Sequence, residues 1–513
     1  MGALAGCIAR MLEWRLRRIE SSTADPLPCQ IAVLRNLLRR AADTELGRQY
    51  RFAEIASPEQ FRARVPIMPY ETACTFWHRA FDGATDIAWP GHVRYFALSS
   101  GTTAGNKLIP VTADAIKSNR RAGMMVLAYL TRRGDAASLL EGQFLYLGGS
   151  TTLRSRGRCL VGDASAIMAL HVPWYARRRV LPDPQTMAIT DWEAKIRRIV
   201  ENYLHADVRA LSACPSWAAL FFRQMIAAAQ AAGDPNPAVG RLWPAFSHFV
   251  SYGMAFEPYR NAFDEYVGRP IHYLDTYSSS EGGMTAIQDE PGGPMRLLVD
   301  NGVFYEFVPA ERAEESDPPR LHIGEVEENR DYALLLSTNG GIWAYPLGDV
   351  VRFVSLRPAR VVFSGRTQIY LSAFGEHVTL GMIEKAVAAA AAATSAVVAD
   401  YTVAPRFPSA QQPRPAHRWI MEFARPPGDL NMFADVLDRT IRAENEDYDT
   451  HRANDFGLEK PLLMPVARGT FYEWMKSKGK LGGQHKVPRV ARSAAMVDEL
   501  LAISQTLAGG RNT

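Results

Sequence analysis

Tyr95-Phe96-Ala97-Leu98-Ser99-Ser100-Gly101-Thr102-Thr103-Ala104-Gly105-Asn106-Lys107 is the stretch on which the reading of this chain turns. Four apolar residues form a short buried strand that runs directly into hydroxyls and glycines and ends at a lysine. Backbone N–H groups in such a turn make a concave anion site, and the side chains of Ser99, Ser100, Thr102 and Thr103 add donors. It is not a Walker A loop, because Asn106 rather than lysine follows Gly105, and the chain contains no G-x-G for a dinucleotide. Alone, a Ser/Thr/Gly loop is more often a solvated turn. Lys107 at its end favours phosphate.

The surroundings give the fold class. A helix follows from about Asp114 to Leu130. Strands at Phe144–Leu147, Val208–Leu211, Phe246–Tyr252 and Ile271–Leu274 then alternate with helices. One helix opens with the capping box Thr190-x-x-Glu193 and carries Trp192, Ile196, Ile199, Val200 and Tyr203 on one face; another begins at Pro215. Strands separated by helices predict α/β layering. Residues 1–65 read as helical, with Ile31, Leu34, Leu37 and Leu38 at helical spacing. From Met295 to Phe353 short strands with polar turns predict an antiparallel β section. Beyond Gly365, a helix at Met382–Ala393, strands at Val397–Val403 and Trp419–Phe423, and a helix at Phe433–Glu444 predict a small α+β domain. The expected organisation is a large N-terminal domain (1–370) of mixed sheets flanked by helices plus the β section. A hinge (371–377) and a small mobile α+β C-terminal domain (378–513) follow.

Composition narrows the function. The 513 residues are 47% apolar and 22% charged, ordinary values for a globular protein. Basic and acidic residues number 58 and 54, so the net charge of +4 is small and spread out. That argues against nucleic acid as a partner. No apolar run reaches the ~18 residues that cross a bilayer. Cys7, Cys29, Cys74, Cys159 and Cys214 are odd in number and contain no C-x-x-C pair, which disfavours a disulfide framework or structural zinc and fits the cytoplasm. Leu4-Ala5-Gly6-Cys7 has the look of a lipoprotein box, but only three residues precede it. An N-terminal helix bearing Arg10, Arg15, Arg17 and Arg18 is the expectation. Only nine of the basic residues are lysine, and four of those fall between Lys476 and Lys486. A compact ammonium in an arginine-rich chain hints at a specific use.

Three further segments carry chemistry. Tyr277-Ser278-Ser279-Ser280-Glu281-Gly282 sets an acid among hydroxyls, a set able to ligate Mg²⁺, although alone it reads as a helix N-cap. Tyr345-Pro346-Leu347-Gly348-Asp349 puts a carboxylate at a glycine, where it can accept from ribose hydroxyls, although alone it reads as a hairpin turn. Gly483-Gln484-His485-Lys486-Val487-Pro488, with Gly479, Gly482 and Gly483, reads as a mobile loop, by itself a solvated tail.

Taken in order, Ser-Ser-Gly-Thr-Thr…Lys107, Tyr277-x-x-Ser280-Glu281, Gly348-Asp349, Gly365-Arg366 and the late Lys486 resemble the adenylate-forming superfamily. The stretches Phe61-Arg62-x-x-Val65-Pro66-Ile67-x-x-Tyr70, Phe144 to Ser150, Pro215-Ser216-Trp217, Leu371-Ser372 and Gln484 to Arg489 bring the likeness closer to one branch. It is similar to the Gretchen Hagen family of acyl acid amido synthetases, auxin-responsive in plants and with bacterial members. The resemblance implies a carboxylic acid and Mg·ATP forming an acyl-adenylate, which an amine, usually an amino acid, converts to an amide and AMP. It implies that Ser99, Ser100, Gly101, Thr102, Thr103 and Lys107 hold phosphate. Tyr277 then lies against adenine, Ser280 reaches the α-phosphate, Asp349 holds the ribose and Arg366 contributes to the nucleotide site. Glu281 binds Mg²⁺, and Lys486 moves in to stabilise charge between the attacking carboxylate and the α-phosphate. His377 stands where the family usually has lysine in the hinge. Tyr146, Trp217, Phe221, Tyr252 and Met254 are acyl-pocket candidates by position, with core packing the stronger reading of each. The competing functions are an acid–CoA ligase, which shares the adenylation step, and a non-catalytic nucleotide-binding protein. The sequence leaves open the acid, the amine and the oligomeric state.

Overall fold

The computed structural model of the chain describes residues 2–509 except 101–105, 254–255, 314, 367–369, 372–377, 407–414, 446–447, 450–451, 453–457, 482–485 and 492–493. By their contacts the residues form two compact units. One comprises Met1–Cys214, Gly240–Met254 and Pro270–Phe363; the other comprises Pro215–Val239, Ala255–Arg269 and Ser364–Thr513. The chain therefore crosses between units at five points. The hinge expected at 371–377 lies outside the described residues apart from Leu371.

In the first unit the strands are, in chain order, β1 Tyr95–Ser100, β2 Asn106–Val111, β3 Gln143–Leu147, β4 Arg154–Arg156, β5 Cys159–Gly162, β6 Val180–Leu181, β7 Val208–Ala213, β8 His248–Tyr252, β9 His272–Ser279, β10 Gly283–Gln288, β11 Met295–Leu297, β12 Val303–Pro309, β13 Asp331–Thr338, β14 Ile342–Leu356 and β15 Ala359–Arg366. A small sheet has the order β2-β1-β5-β4, and a large one the order β12-β13-β14-β15-β11-β10-β9-β8-β7-β3-β6. The α/β half and the antiparallel section are thus one sheet. Strands β9, β8, β7, β3 and β6 run parallel, and the β9–β10 hairpin turns the sheet antiparallel.

β12 and β13 are buried along nearly their whole length. The helix Pro26–Ala41 lies over β12, its Leu34, Leu37 and Leu38 in one cluster with Phe304. Gln30 clamps it there. Its Nε2 donates to Val299 O (2.8 Å) and Val303 O (2.9 Å), and its Oε1 accepts from Tyr305 N–H (2.8 Å). A buried amide so satisfied fixes the helix in register with the sheet. The predicted capping box is corrected. The helix Trp192–Tyr203 is capped by Asp191, whose carboxylate accepts from Ala194 N–H at 2.7 Å, so the cap is one residue later than Thr190.

His248 on β8 gives the unit a pH dependence. Its ring is fully buried, 4.9 Å from that of His272, with Nδ1 2.8 Å from Ser247 Oγ. Burial, and then the neighbouring His272 and Arg133, push its pKa down to about 4. A depressed value means the unfolded chain takes up the proton first, so this contribution to stability is intact above about pH 6.5 and is lost as pH falls toward 4. Between pH 7.5 and 5 the wild type should lose about 2 kcal/mol more than His248→Asn, read by urea unfolding at the two pH values. Equal losses would remove His248 from this role.

In the second unit, β16 (Tyr370–Leu371) pairs with β17 (Val378–Thr379), and β18 (Val397–Arg406), β19 (Ala416–Arg425) and β20 (Leu462–Val466) form a sheet in that order. The helices Leu380–Thr394 and Leu430–Glu444 pack Ile383, Val387, Phe433 and Leu437 against Trp419 and Met421 of β19. The helices Pro215–Ala231 and Arg260–Val267 join this unit, with the Phe222 and Phe263 rings 5.3 Å apart. All five cysteines are free thiols. Among the described residues no helix is long and apolar enough to cross a membrane.

Candidate active site

The opening stretch is a β-hairpin, and the helix expected after it is Ala113–Arg133. β1 and β2 pair antiparallel, with Ser99 opposite Lys107 and Ser100 opposite Asn106. Gly101, Thr102 and Thr103 lie outside the described residues, as do the side chains of Ser99 and Ser100. The hairpin delivers Lys107 into an aromatic clamp. Its Nζ donates to the Tyr345 hydroxyl at 3.3 Å and lies 5.1 Å from the Tyr70 ring centroid and 6.0 Å from that of Tyr345. The Tyr70 hydroxyl in turn accepts from Leu108 N–H at 3.1 Å. A cation held against two ring faces is stabilised by their quadrupoles and keeps its remaining N–H groups for an anion. Burial first, and then the negative charge of Glu281, push the Tyr345 hydroxyl well above its usual pKa. Lys107, Tyr345 and Glu281 therefore belong to one electrostatic cluster.

Glu281 is not at a helix N-cap. It sits in the tight turn between β9 and β10, because β9 continues to Ser279 through most of the serine-rich segment. Gly282 N–H donates to Ser279 Oγ at 2.9 Å. Gly283 adopts φ +64, and a Cβ there would come 2.5 Å from Asn119 Nδ2. Asn119 belongs to the helix Ala113–Arg133, and its Oδ1 accepts from Met284 N–H at 3.0 Å. The turn that presents Ser280 and Glu281 is thus anchored to that helix.

Asp349 is likewise not in a hairpin turn. β14 runs for fifteen residues, and opposite β13 its register jumps from Pro346↔Leu335 to Val350↔Ala333. Between these pairs one residue of β13, Leu334, faces three of β14, Leu347, Gly348 and Asp349, which makes a bulge. Pro346 has no N–H to give a ladder, and Gly348 takes φ +82, a conformation a side chain would strain. The bulge aims Asp349, 4% exposed, at β9, where the Tyr277 hydroxyl donates to its Oδ2 at 2.6 Å. The Tyr277 ring packs 6.1 Å from that of Phe363.

The structure thus brings Lys107, Glu281, Tyr277 and Asp349 onto neighbouring elements of the first unit. Lys486 is in the second unit and exposed; Arg366 follows the unit boundary on β15, and its side chain is outside the described residues. Tyr70 and Tyr345 are not among the candidates that the sequence singles out. Both stand in the quoted motifs, but only their packing on Lys107 joins them to the candidate site. Among the acyl-pocket candidates, Tyr146 and Tyr252 lie at the C-terminal ends of β3 and β8 with their rings stacked at 6.1 Å. Their hydroxyls donate to Ser165 O (3.4 Å) and Leu147 O (2.8 Å). Trp217 and Phe221 belong to the second unit, and Met254 lies outside the described residues. Beside β3, the buried Lys195 donates to Gly148 O at 3.4 Å, and burial lowers its pKa to about 8.

Three family models match successive parts of the chain: GH3 family N-terminal domain over residues 15–175, GH3 family central domain over 296–366 and GH3 family C-terminal domain over 382–495. The chain belongs to the GH3 family. This is the Gretchen Hagen family that the motifs resembled, and the models match far more of the chain than those short segments. Indole-3-acetic acid-amido synthetase GH3.8 of Oryza sativa subsp. indica is 25% identical over 562 residues, covering 95% of this chain and 92% of that protein. Among solved structures, the GH3.15 acyl acid amido synthetase has a TM-score of 0.76 at 18% identity, covering 95% of each chain. The 2-hydroxyisobutyryl-CoA ligase in its postadenylation state with 2-HIB-AMP reaches 0.61 at 12% identity, covering 94% of this chain and 91% of that one. The GH3 fold thus shares its architecture with acid–CoA ligases.

Proposed function

We propose that this GH3 protein is an ATP-dependent acyl acid amido synthetase. A carboxylate oxygen of the acid attacks the α-phosphorus of ATP, and pyrophosphate leaves. The nitrogen of an amine, an amino acid in this reading, then attacks the acyl carbon. AMP leaves with the electron pair of the broken C–O bond, and the amine loses a proton. The observation that carries the reading is the pairing, in a chain matched by GH3 models over residues 15–175, 296–366 and 382–495, of Lys107 clamped by Tyr345, a hydroxyl that feels the charge of Glu281, with Tyr277 bonded to Asp349.

In this reading the β1–β2 hairpin, with Ser99, Ser100, Gly101, Thr102 and Thr103, holds phosphate oxygens, and Lys107 neutralises them. Tyr277 lies against adenine, and Asp349, oriented by the Tyr277 hydroxyl, takes the ribose. Ser280 reaches the α-phosphate, and Arg366 contributes from β15. Magnesium fits Glu281. Nucleotide sites hold this ion by one or two carboxylates plus phosphate oxygens and water, and a carboxylate on an anchored turn is such a donor. The ion would neutralise phosphate charge. Lys486, carried by the second unit, serves the adenylation step. Five free thiols support a reducing compartment, the cytoplasm.

Two variants test the nucleotide assignments. Asp349→Ala should weaken ATP binding about tenfold or more without unfolding the chain, since it removes a hydrogen bond made by a charged group. Glu281→Gln should shift the Mg²⁺ dependence of ATP binding to higher concentration. Titrations of ATP at several Mg²⁺ concentrations read both, and unchanged affinity or unchanged Mg²⁺ dependence rejects the corresponding residue.

The second half-reaction decides between an amido synthetase and a CoA ligase. Purified protein with ATP, an acid panel and either an amino-acid mixture or CoA should give amide, and its rate should climb with pH as the attacking ammonium becomes neutral. Mass spectrometry distinguishes the products. Thioester formed as fast as amide would transfer the protein to the ligase class that shares its fold.

A further inference from the structure

The second unit holds a buried cation that this chemistry does not use. Arg489 is 8% exposed. One guanidinium nitrogen donates to Asp400 Oδ1 and to Tyr401 O, the latter at 2.9 Å; the other donates to the Tyr259 hydroxyl. The guanidinium also lies 4.4 Å from the Tyr401 ring centroid. The backbone around it is tied to the same strand. Val403 N–H donates to Arg489 O (2.8 Å), Ala491 N–H to Val403 O (2.7 Å), and Thr402 Oγ1 to Pro488 O (2.6 Å). Residues 488–491 are thus stitched to β18, while Lys486, two positions before Pro488, is exposed.

A charge is a costly way to fill a core. An apolar side chain of similar size would often hold the unit together as well or better. A guanidinium differs in what it specifies, because its planar fork accepts partners in one arrangement only. Here the partners come from β18 and from Tyr259, so the fork sets the position of the chain segment directly after Lys486. Pro488, with its fixed φ, makes the link between anchor and lysine short and stiff.

We propose that Arg489 is the positioning residue for Lys486: it registers the lysine-bearing segment on β18 and so determines where the ammonium stands during adenylation. The proposal rests on the adenylation role of Lys486 given above.

The test separates the two half-reactions. The acid giving the fastest ATP–pyrophosphate exchange in a panel is chosen, and its acyl-adenylate is synthesised chemically. Wild type, Arg489→Lys and Tyr259→Phe are compared, each also with Lys486→Ala. Arg489→Lys should lower the exchange kcat about 10- to 100-fold, the cost of a misplaced group, with KM for ATP unchanged. Amide formation from the synthetic adenylate should stay within about twofold, since it does not need the ammonium. In the Lys486→Ala background Arg489→Lys should cost nothing more, because a residue that acts through another is silent once the other is gone. Tyr259→Phe should show the same pattern with a smaller loss, and it decides by the same criteria if Arg489→Lys does not fold. Equal losses in both half-reactions, additive losses with Lys486→Ala, or full exchange activity in a folded Arg489→Lys protein would overturn the positioning role. A wild type that exchanges no pyrophosphate with any acid would reject the synthetase reading itself and this role with it.

Discussion

Lys486→Ala is expected to lower acid-dependent pyrophosphate exchange by about two to three decades while ATP still binds. The adenylation step brings a carboxylate to a phosphate, and two anions approach each other only if positive charge stands between them at the transition state. In a water-excluded site the loss of one such contact costs roughly 3–4 kcal/mol. Lys486 is the last of the chain's few lysines, in a segment rich in glycine on one side and pinned by Arg489 on the other. Exchange assays with a fixed acid, paired with an ATP titration, give the answer. Exchange at the wild-type rate would remove Lys486 from the chemistry. Loss of ATP binding along with exchange would mean that it serves nucleotide affinity instead.

Glu306→Ala should destabilise the first unit by about 3–5 kcal/mol. Glu306 lies in β12 with 4% of its side chain exposed, and Arg320 with 6%. They pair through both carboxylate oxygens, at 3.0 and 2.7 Å, and the guanidinium rests 5.6 Å from the centre of the Phe61 ring. Arg320 also donates to the carbonyls of Arg62 and Val65, tying the helix Pro58–Arg64 to the sheet. Truncating the glutamate strands a buried cation, which costs far more than the net value of the pair. Replacing both partners, as Glu306→Leu with Arg320→Met, should recover most of the loss. Urea unfolding of the two proteins and the wild type measures this. A Glu306→Ala protein as stable as wild type would show that Arg320 finds a substitute partner.

The candidate site was legible in the sequence as a set of residue types and only partly as geometry. Ser99, Lys107, Tyr277, Glu281 and Asp349 are legible as candidates because hydroxyls, glycines and single charges at strand ends can serve a nucleotide, and because their order resembles one family. Their local settings were harder to read. Glu281 looked like a helix cap and is in a hairpin turn; Asp349 looked like a turn and is on a strand bulge. A serine- or glycine-rich run is compatible with cap, turn and bulge alike, since each supplies similar local hydrogen bonds. Which one forms depends on the partner strand. β14 bulges because β13 spans the same distance with fewer residues, and the β9–β10 turn is set by Asn119, more than 160 residues away in sequence.

By itself the sequence determined the α/β class, the late antiparallel and α+β portions, the absence of a membrane-spanning apolar run, and the membership that its ordered motifs resembled. These follow from periodicity, punctuation and residue type, which act within a few residues. Tertiary structure alone decided that the parallel and antiparallel strands share one eleven-stranded sheet, that Tyr70 and Tyr345 clamp Lys107, and that Arg489 is buried against Tyr259 and β18. Each of these joins residues far apart in the chain. What selects them is the free energy of burying apolar surface while every charge inside finds a partner, a condition on the whole fold that no local stretch of sequence carries.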